Sequence, residues 1–326
     1  MRIALVTPAK AGSRSGNRHT AVRWAAMLRA VGHKVTLATE WQPDEKTDLL
    51  LALHARRSHA SIRKFGEAHP DKPIVLALTG TDVYRDIKTD KDAKESLALA
   101  TRFIVLQPKA IEELPKRLRP KASVVIQSCS TKLQHRPVKR KFRLCVIGHL
   151  RDEKDPLRAL YALKHLPPNL NIELIQIGES LDDKLAEEAR RGMKRDERYR
   201  WLGGVPHSRA LRLLASSHAM IISSRMEGGA NVVSEAIRIG VPVIASKISG
   251  NVGLLREGYS GYYKPGDDRM LAAVIREAAS TTSSYQELRG QVCRLKSTAA
   301  PSNEARMLTG AIKTADRVFS TLPCEL

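Results

Sequence analysis

At 326 residues, the chain is long enough for two domains that each bury a hydrophobic core of their own. Hydrophobic residues make up 42% of it, yet no apolar run approaches the ~20 residues that cross a bilayer, which excludes a membrane-spanning class. The formal net charge of +21 suggests an anionic partner. Aromatic residues make up only 4% and the basic ones are dispersed, so we expect no nucleic-acid partner that stacks bases.

The first half of the sequence alternates buried-type strands with helical stretches. Residue 1 leads directly into a strand, and the following helix has an apolar face of Trp24, Leu28 and Val31 that Gly32 ends. Strands are predicted at residues 2–7, 34–39, 48–54, 74–78, 103–106 and 123–127. This alternation predicts a parallel sheet with crossover helices.

The second half repeats that organisation after a polar, basic connection at residues 128–141. Strands are predicted at residues 142–148, 172–177, 219–222 and 242–246, and helices at residues 155–165, 181–195, 207–217, 231–239 and 267–280. The sequence therefore predicts an α/β fold of two Rossmann-like domains, residues 1–135 and 136–302, whose parallel sheets face each other across a cleft. A last helix within residues 303–326 is expected to pack back on the first domain.

Four cysteines, at positions 129, 145, 293 and 324, are scattered and form no zinc-type cluster. The first residues lack the long apolar core of a signal peptide. We therefore expect a reduced, cytoplasmic protein without a membrane span.

Two glutamates, Glu227 and Glu235, are separated by seven residues in a segment that runs from a buried strand through a Gly-rich turn into a helix. The unpaired N–H groups and the dipole of a helix N-terminus favour an anion there. If only the spacing of the two glutamates is considered, they could be exposed charges at the edge of a helix. The strand and the Gly-Gly turn favour a binding site instead, in which the two carboxylates flank a phosphate and hold the hydroxyls of a sugar and a ribose.

The other polar motifs also follow predicted strands, which places them at the carboxyl edges of the sheets, where ligands bind in such folds. They are residues 12–18, 54–57, 79–82 and 148–154.

Together these segments resemble a known enzyme family. The pair Glu227 and Glu235 resembles the E-x7-E signature of GT-B, group-4-like glycosyltransferases that use nucleotide sugars. Further segments are similar to the selenosugar synthases of selenoneine biosynthesis, namely Gly16-Asn-Arg-His-Thr-Ala, Leu53-His-Ala-Arg-Arg-Ser, Leu78-Thr-Gly-Thr-Asp-Val-Tyr-Arg, Val105-Leu-Gln-Pro and Gly148-His-Leu-Arg-Asp-Glu-Lys-Asp-Pro. That resemblance implies transfer of a sugar, N-acetylglucosamine or glucose, from a UDP-sugar to selenophosphate, with a new carbon–selenium bond.

The resemblance also implies the donor side. Lys154 matches the lysine that neutralises the donor pyrophosphate, whereas His149 stands where similar enzymes have arginine, and Arg151 is the candidate to compensate. Glu235 is expected at the ribose and Glu227 at the donor sugar. The remaining donor-binding candidates are Gly16, Gly228, Gly229, Ala230, Asn231 and Val232.

The first half supplies candidates for an anionic acceptor, since arginine, threonine and backbone N–H groups bind phosphate-like oxygens. These candidates are Asn17, Arg18, Arg56, Arg57, Thr79, Gly80 and Thr81. Selenium in selenophosphate is already ionised, so His54 and Asp82, counted with Glu227 as catalytic, are expected to orient it rather than remove a proton, although a base role for His54 stays open.

Asp90-Lys-Asp92 matches a D-x-D metal pattern, but we expect it to cap a helix, with no metal and no obligatory cofactor. The resemblance further implies a functional link to a selenophosphate synthetase and a downstream selenoneine synthase. Two alternatives remain. One is an O-glycosyltransferase acting on a sugar, lipid or protein, and the other is a non-catalytic, basic nucleic-acid-binding protein on the same fold.

Overall fold

The computed structural model describes residues 1–13, 15–44 and 46–320. Cys324 and the last six residues of the region 303–326, in which a final helix was predicted, lie outside the described residues. The chain divides into two units. The first comprises Met1–Gln127 with the segment from Pro301 onward, and the second is Ser128–Ala300.

The first unit is built on a six-stranded, all-parallel sheet with the strand order β2-β1-β3-β4-β5-β6. Its strands are β1 (Arg2–Val6), β2 (Lys34–Ala38), β3 (Leu49–Leu53), β4 (Ile74–Leu78), β5 (Arg102–Val105) and β6 (Ala122–Val124). Its helices are α1 (Gly16–Ala30), α2 (His59–Ala68), α3 (Ile87–Thr89), α4 (Lys91–Leu99) and, from the end of the chain, α12 (Pro301–Ser320).

Both faces of this sheet are covered, which explains why β3 and β4 are continuous apolar runs. Alternate residues of β1 divide between two cores, with Ala4 on one face and Leu5 on the other. Leu308 and Ile312 of α12 pack into the second core. The apolar face predicted for α1 is confirmed by buried Trp24 and Leu28.

The second unit repeats the plan, with an all-parallel sheet in the order β12-β11-β10-β7-β8-β9. Its strands are β7 (Phe142–Ile147), β8 (Ile172–Ile177), β9 (Tyr199–Trp201), β10 (Ala219–Ile222), β11 (Val243–Ser246) and β12 (Tyr262–Tyr263). Its helices are α5 (Arg158–Leu163), α6 (Asp183–Arg195), α7 (His207–Ala215), α8 (Asn231–Ile239), α9 (Ser249–Leu255), α10 (Asp268–Ser280) and α11 (Thr282–Arg294). The predicted α/β class with parallel sheets is confirmed.

Two local expectations were wrong. Val31 does not join the apolar face of α1, because the helix ends at Ala30 and Val31 is half exposed at its C-cap. The helix predicted at residues 155–165 is shorter, because Asp155 adopts a left-handed conformation with φ 43° after a 3-10 turn, and α5 begins only at Arg158. In the described part of the chain, no helix has the length and apolar character needed to cross a membrane.

Candidate active site

Glu227 is the centre of a polar cluster in the second unit. It lies in the loop after β10, and only 7% of the residue is exposed. Its carboxylate oxygen Oε1 accepts a hydrogen bond from Ser224 Oγ at 2.5 Å and pairs with the ammonium group of Lys154. The structure therefore brings together two of the residues that the sequence predicted for the donor, one anionic and one cationic.

Lys154 reaches Glu227 because the loops that follow β7 and β10 are tied to each other. The Arg225 N–H donates to the carbonyl of Glu153 at 2.9 Å. Ser223 Oγ donates to the carbonyl of Asp155 at 2.8 Å. The left-handed backbone of Asp155 ends the 3-10 turn that carries Lys154. Lys154 is thus positioned by hydrogen bonds to the carbonyl groups of the residues before and after it, Glu153 and Asp155.

A second layer supports this cluster from behind. Ser246 Oγ donates to the carbonyl of Ser224 at 2.6 Å, and Asn251 Nδ2 donates to the carbonyl of Ser246 at 2.9 Å. Gly250 packs directly on the backbone of Glu227, since a Cβ built on Gly250 would lie 2.1 Å from the Glu227 carbonyl oxygen. Sequence reasoning missed these supports because each comes from a later strand or helix.

The glycine turn leads into α8 as expected. Gly228, Gly229 and Ala230 precede the helix, and Asn231 and Val232 form its first turn. The N-cap residue of α8 is Ala230 and not Asn231, which is the first residue of the helix. The methyl side chain of Ala230 cannot accept a hydrogen bond from the N–H groups of the first turn. The N–H groups of this first turn therefore form a helix N-terminus suited to an anion.

Glu235 lies farther along α8 and is held by a residue that the sequence did not single out. His207 Nε2, at the start of α7, lies 2.8 Å from Glu235 Oε1. His207 is exposed, whereas only 14% of the Glu235 side chain is. Nothing in the sequence links the two residues, because their contact depends on how α7 packs against α8.

His149 lies beside the site but supplies no fixed charge. Its Nδ1 accepts a hydrogen bond from the Glu179 N–H at 3.2 Å, and burial lowers the pKa of its ring. His149 is therefore neutral near pH 7, unlike an arginine at this position. Arg151 is exposed on the same loop, so it and Lys154 supply the positive charge there.

In the first unit, His54 and Asp82 lie at the carboxyl edge of the sheet, after β3 and β4. Asp82 is fully buried and its carboxylate accepts three backbone hydrogen bonds, from Gly80 at 2.7 Å, Ala55 at 3.0 Å and Thr79 at 3.4 Å. His54 Nδ1 and Asp82 Oδ2 are 3.9 Å apart, too far for a hydrogen bond. Asp82 thus joins the loops after the two strands.

His54 has an unusual backbone with φ 77°, a conformation that costs energy for any residue with a Cβ. Its Nδ1 accepts a hydrogen bond from the Arg57 N–H at 3.4 Å, which places the proton of the neutral ring on Nε2. Burial lowers the pKa of His54, with Asp82 opposing that effect. The ring is therefore neutral at physiological pH.

Asp86 is a member of this cluster that the sequence analysis did not identify. It ends a π-helical turn, Asp82–Asp86, which begins after Thr81. Asp86 Oδ2 lies 3.3 Å from Arg56 Nε and 4.0 Å from His54 Nε2, and Asp86 Oδ1 accepts a hydrogen bond from Arg85 Nε at 3.0 Å. One buried carboxylate thus faces two arginines and a histidine.

Gly16, Asn17 and Arg18 form the first turn of α1, and Ser15 caps that helix by accepting a hydrogen bond from the Arg18 N–H at 3.3 Å. Among the described residues, no hydrogen bond or ion pair joins these three residues to His54 or Asp82. They follow β1, as predicted.

The D-x-D segment has a structural role. Asp90 is the N-cap of α4 and accepts a hydrogen bond from the Ala93 N–H at 2.9 Å, which confirms the predicted cap. Within residues 1–13, 15–44 and 46–320, no group of three or more His, Cys, Asp or Glu side chains is arranged to hold a metal ion.

Comparison with known proteins agrees with this geometry. Residues 130–291 match the family model described as Glycosyl transferases group 1. A protein of Xenopus tropicalis called Glycosyltransferase 1 domain-containing protein 1 is 25% identical over 275 residues, which cover 76% of this chain and 79% of that protein.

Solved structures show the same fold. HepE of Anabaena, solved in complex with UDP, has a TM-score of 0.74 and 16% identity, covering 99% of this chain and 100% of its own. Sucrose-phosphate synthase of Thermosynechococcus elongatus has a TM-score of 0.73 and 14% identity, covering 98% and 100%. These comparisons show the fold: the chain has the GT-B glycosyltransferase fold, and residues 130–291, within its second unit, match the model of the group 1 glycosyl transferases.

Proposed function

We propose that this protein is a selenosugar synthase, which transfers a sugar from a UDP-sugar to selenophosphate. The donor half of the proposal rests on the cluster of Glu227, Lys154 and Ser224 beside the first turn of α8. The structure of HepE with UDP supports UDP as the nucleotide, because the two chains share their fold. The acceptor half rests on the arginine-rich cluster around His54 and on the resemblance of the sequence motifs.

Each donor residue has a defined task in this proposal. The carboxylate of Glu235 accepts hydrogen bonds from the ribose hydroxyls, and that of Glu227 accepts them from the sugar. The Lys154 ammonium, the Arg151 guanidinium and the N–H groups of Asn231 and Val232 stabilise the negative charge that develops on the leaving pyrophosphate. The glycines 228 and 229 allow the phosphates to approach the backbone closely.

The acceptor chemistry needs positioning more than proton transfer. The selenium lone pair forms a bond to the anomeric carbon while the bond from that carbon to the UDP oxygen breaks, and UDP leaves with the electron pair. Water then cleaves the phosphorus–selenium bond, releasing phosphate and the selenium-bearing sugar. Arg56, Arg57 and Thr79 bind the anionic oxygens, and neutral His54 orients the acceptor. A selenophosphate synthetase would supply the acceptor, and a selenoneine synthase would use the product.

The second candidate function is O-glycosyl transfer to a sugar, lipid or protein. One observation favours it. The lowered pKa of buried His54 keeps its ring neutral, and its Nδ1, held among the described residues only by the 3.4 Å hydrogen bond from the Arg57 N–H, is the nitrogen that would accept a proton from a hydroxyl group. The fold is also that of sucrose-phosphate synthase.

Mass spectrometry of reaction products separates these functions. The protein is incubated with UDP-N-acetylglucosamine or UDP-glucose and enzymatically generated selenophosphate, with controls that lack either substrate. A sugar with the selenium isotope pattern, formed only with both substrates, is expected. UDP release with a hydroxyl acceptor alone supports O-transfer instead. Salt-dependent DNA binding without any turnover supports the binding-protein alternative.

Glu227→Gln provides the residue-level test. We expect at least a ~100-fold loss of transfer, as for other groups that stabilise a transition state. Glu187→Gln makes the same chemical change at an exposed position on α6 and should keep wild-type activity. Equal activity of the two variants would remove Glu227 from the donor site.

A further inference from the structure

Two buried polar atoms at the carboxyl edge of the first sheet are left without a hydrogen-bond partner among the described residues. They are Thr79 Oγ1 and Asp86 Oδ2, in residues that are 8% and 3% exposed. Asp86 Oδ2 has the Arg56 guanidinium as its ion-pair partner, so of these two atoms Thr79 Oγ1 is the one that is open to a ligand. Nearly all buried polar atoms in proteins are paired. Asp86 also belongs to a π-helical turn. Such turns are rare in proteins as a whole, and those that occur are often found at functional sites. Both features indicate a place where a polar ligand binds.

Asp86 also holds two guanidinium groups. Arg85 Nε donates to Asp86 Oδ1 at 3.0 Å, and Arg56 Nε lies 3.3 Å from Asp86 Oδ2. The Asp86 side chain is only 4% exposed, whereas those of Arg56 and Arg85 are 41% and 47% exposed. Arg85 is therefore hydrogen-bonded, and Arg56 ion-paired, to one buried carboxylate through the inner nitrogen, and the terminal N–H groups of these two partly exposed side chains take no part in those contacts.

We propose that Arg85 is a second guanidinium of the acceptor-binding site, paired with Arg56, and that Asp86 is the positioning residue for both. The identity of the anion rests on the proposed function. Two planar guanidinium groups suit a tetrahedral oxoanion such as selenophosphate, because each can donate two parallel hydrogen bonds. The buried Thr79 hydroxyl supplies a further donor at the same edge.

The charges of the cluster agree with an anionic ligand. Arg56, Arg57 and Arg85 outnumber the carboxylates of Asp82 and Asp86. The carboxylate of Asp82 already accepts three backbone N–H groups, so it is not available to bind a cationic ligand. The neutral ring of the neighbouring His54 adds no charge.

Direct binding of monothiophosphate, a stable analogue of selenophosphate, tests the proposal without any sugar nucleotide. Isothermal titration at constant ionic strength is done on the wild type, Arg85→Gln and the control Arg63→Gln. Arg63 lies on the neighbouring α2, where its partner is the exposed Glu67, so its loss removes the same charge from the same unit. We expect Arg85→Gln to weaken binding about tenfold or more and Arg63→Gln to stay within twofold of the wild type.

Asp86→Asn tests the positioning role. If Asp86 acts through the arginines, the acceptor KM rises about tenfold while the donor KM stays near the wild-type value, and the thermal midpoint falls because a buried ion pair is broken. A fall in the midpoint with both KM values unchanged overturns that role. Two results would overturn the proposed site. The first is that Arg85→Gln binds monothiophosphate as tightly as the wild type, and the second is that the wild type does not bind monothiophosphate at all.

The titration outcomes are independent of the proposed function. Loss of anion binding in Arg85→Gln supports the site even if no selenium-bearing sugar is formed. Conversely, formation of that sugar by Arg85→Gln with an unchanged acceptor KM overturns the site and leaves the proposed function standing.

Discussion

Gly250→Ala tests whether the cluster of Glu227, Lys154 and Ser224 depends on the close packing behind Glu227. A Cβ at position 250 would lie 2.1 Å from the Glu227 carbonyl oxygen and 2.9 Å from the Glu227 Cβ. The first of these is a backbone atom, so the turn that carries Glu227 must move by about 1 Å to restore an allowed contact. A shift of that size in a catalytic group costs about 10²-fold in rate, and the overpacking itself costs about 1–3 kcal/mol of stability.

The matched control is Gly290→Ala on α11 in the same unit. The nearest atom to its new Cβ would be Arg294 Nη1 at 3.5 Å, an ordinary contact. Because alanine is the better helix former, this control is expected to gain about 0.5–1 kcal/mol. Urea unfolding gives the stabilities, and UDP titration and UDP release with a donor sugar give the function. A Gly250→Ala protein as stable and as active as the wild type would show that the packing argument is wrong.

Two further predictions concern buried polar groups. Glu304→Ala removes a fully buried carboxylate that accepts hydrogen bonds from Trp24 Nε1 at 2.7 Å and from Arg23 Nε at 2.8 Å. We expect this change to lower the free energy of unfolding in urea by about 3–5 kcal/mol. A loss of less than about 1 kcal/mol would contradict this prediction. Burial lowers the pKa of His135 from 6.5 to about 4. Below pH 6.5 this histidine binds a proton in the unfolded chain but not in the folded protein. The free energy of unfolding is therefore highest at neutral pH and falls as the pH is lowered toward 4, by about 1–2 kcal/mol after solvent screening. His135→Gln, whose amide can still donate to the Ser217 carbonyl, should lose less stability between pH 7 and pH 5, and an equal loss in both proteins would contradict the assignment.

Much of the fold follows from local sequence patterns. Strands such as β3 and β4 are covered on both faces and therefore appear as unbroken apolar runs. The missed elements lack such a signal. Strand β12 has only two residues, β9 has three, and α9 contains two glycines within seven residues. These elements exist because neighbouring strands and helices hold them, which local propensity does not encode.

The candidate site divides in the same way. Glu227 was predicted because a Gly-rich turn after a strand marks its position, and Lys154 because it matches the lysine of similar enzymes. His207 and Asp86 were missed, because their partners lie on other elements. The strand order places β3 beside β4, so the sheet explains why the His54 loop meets the turn that follows Thr79. Which carboxylate of that turn faces the arginines depends on its π-helical winding, which the sequence does not reveal.

The pairing of Lys154 with Glu227 leads to a last prediction about the candidate donor site. Both side chains are largely buried, 22% and 8% exposed, so removing one charge leaves the other poorly solvated. Lys154→Met and Glu227→Gln should each lower the unfolding free energy by about 1–3 kcal/mol. The double variant should lose less than the sum of the two, because it leaves neither charge unpaired. Urea unfolding of the four proteins without ligand measures this coupling. Strictly additive losses would show that the two charges do not stabilise each other, and that Lys154 is oriented by its loop alone.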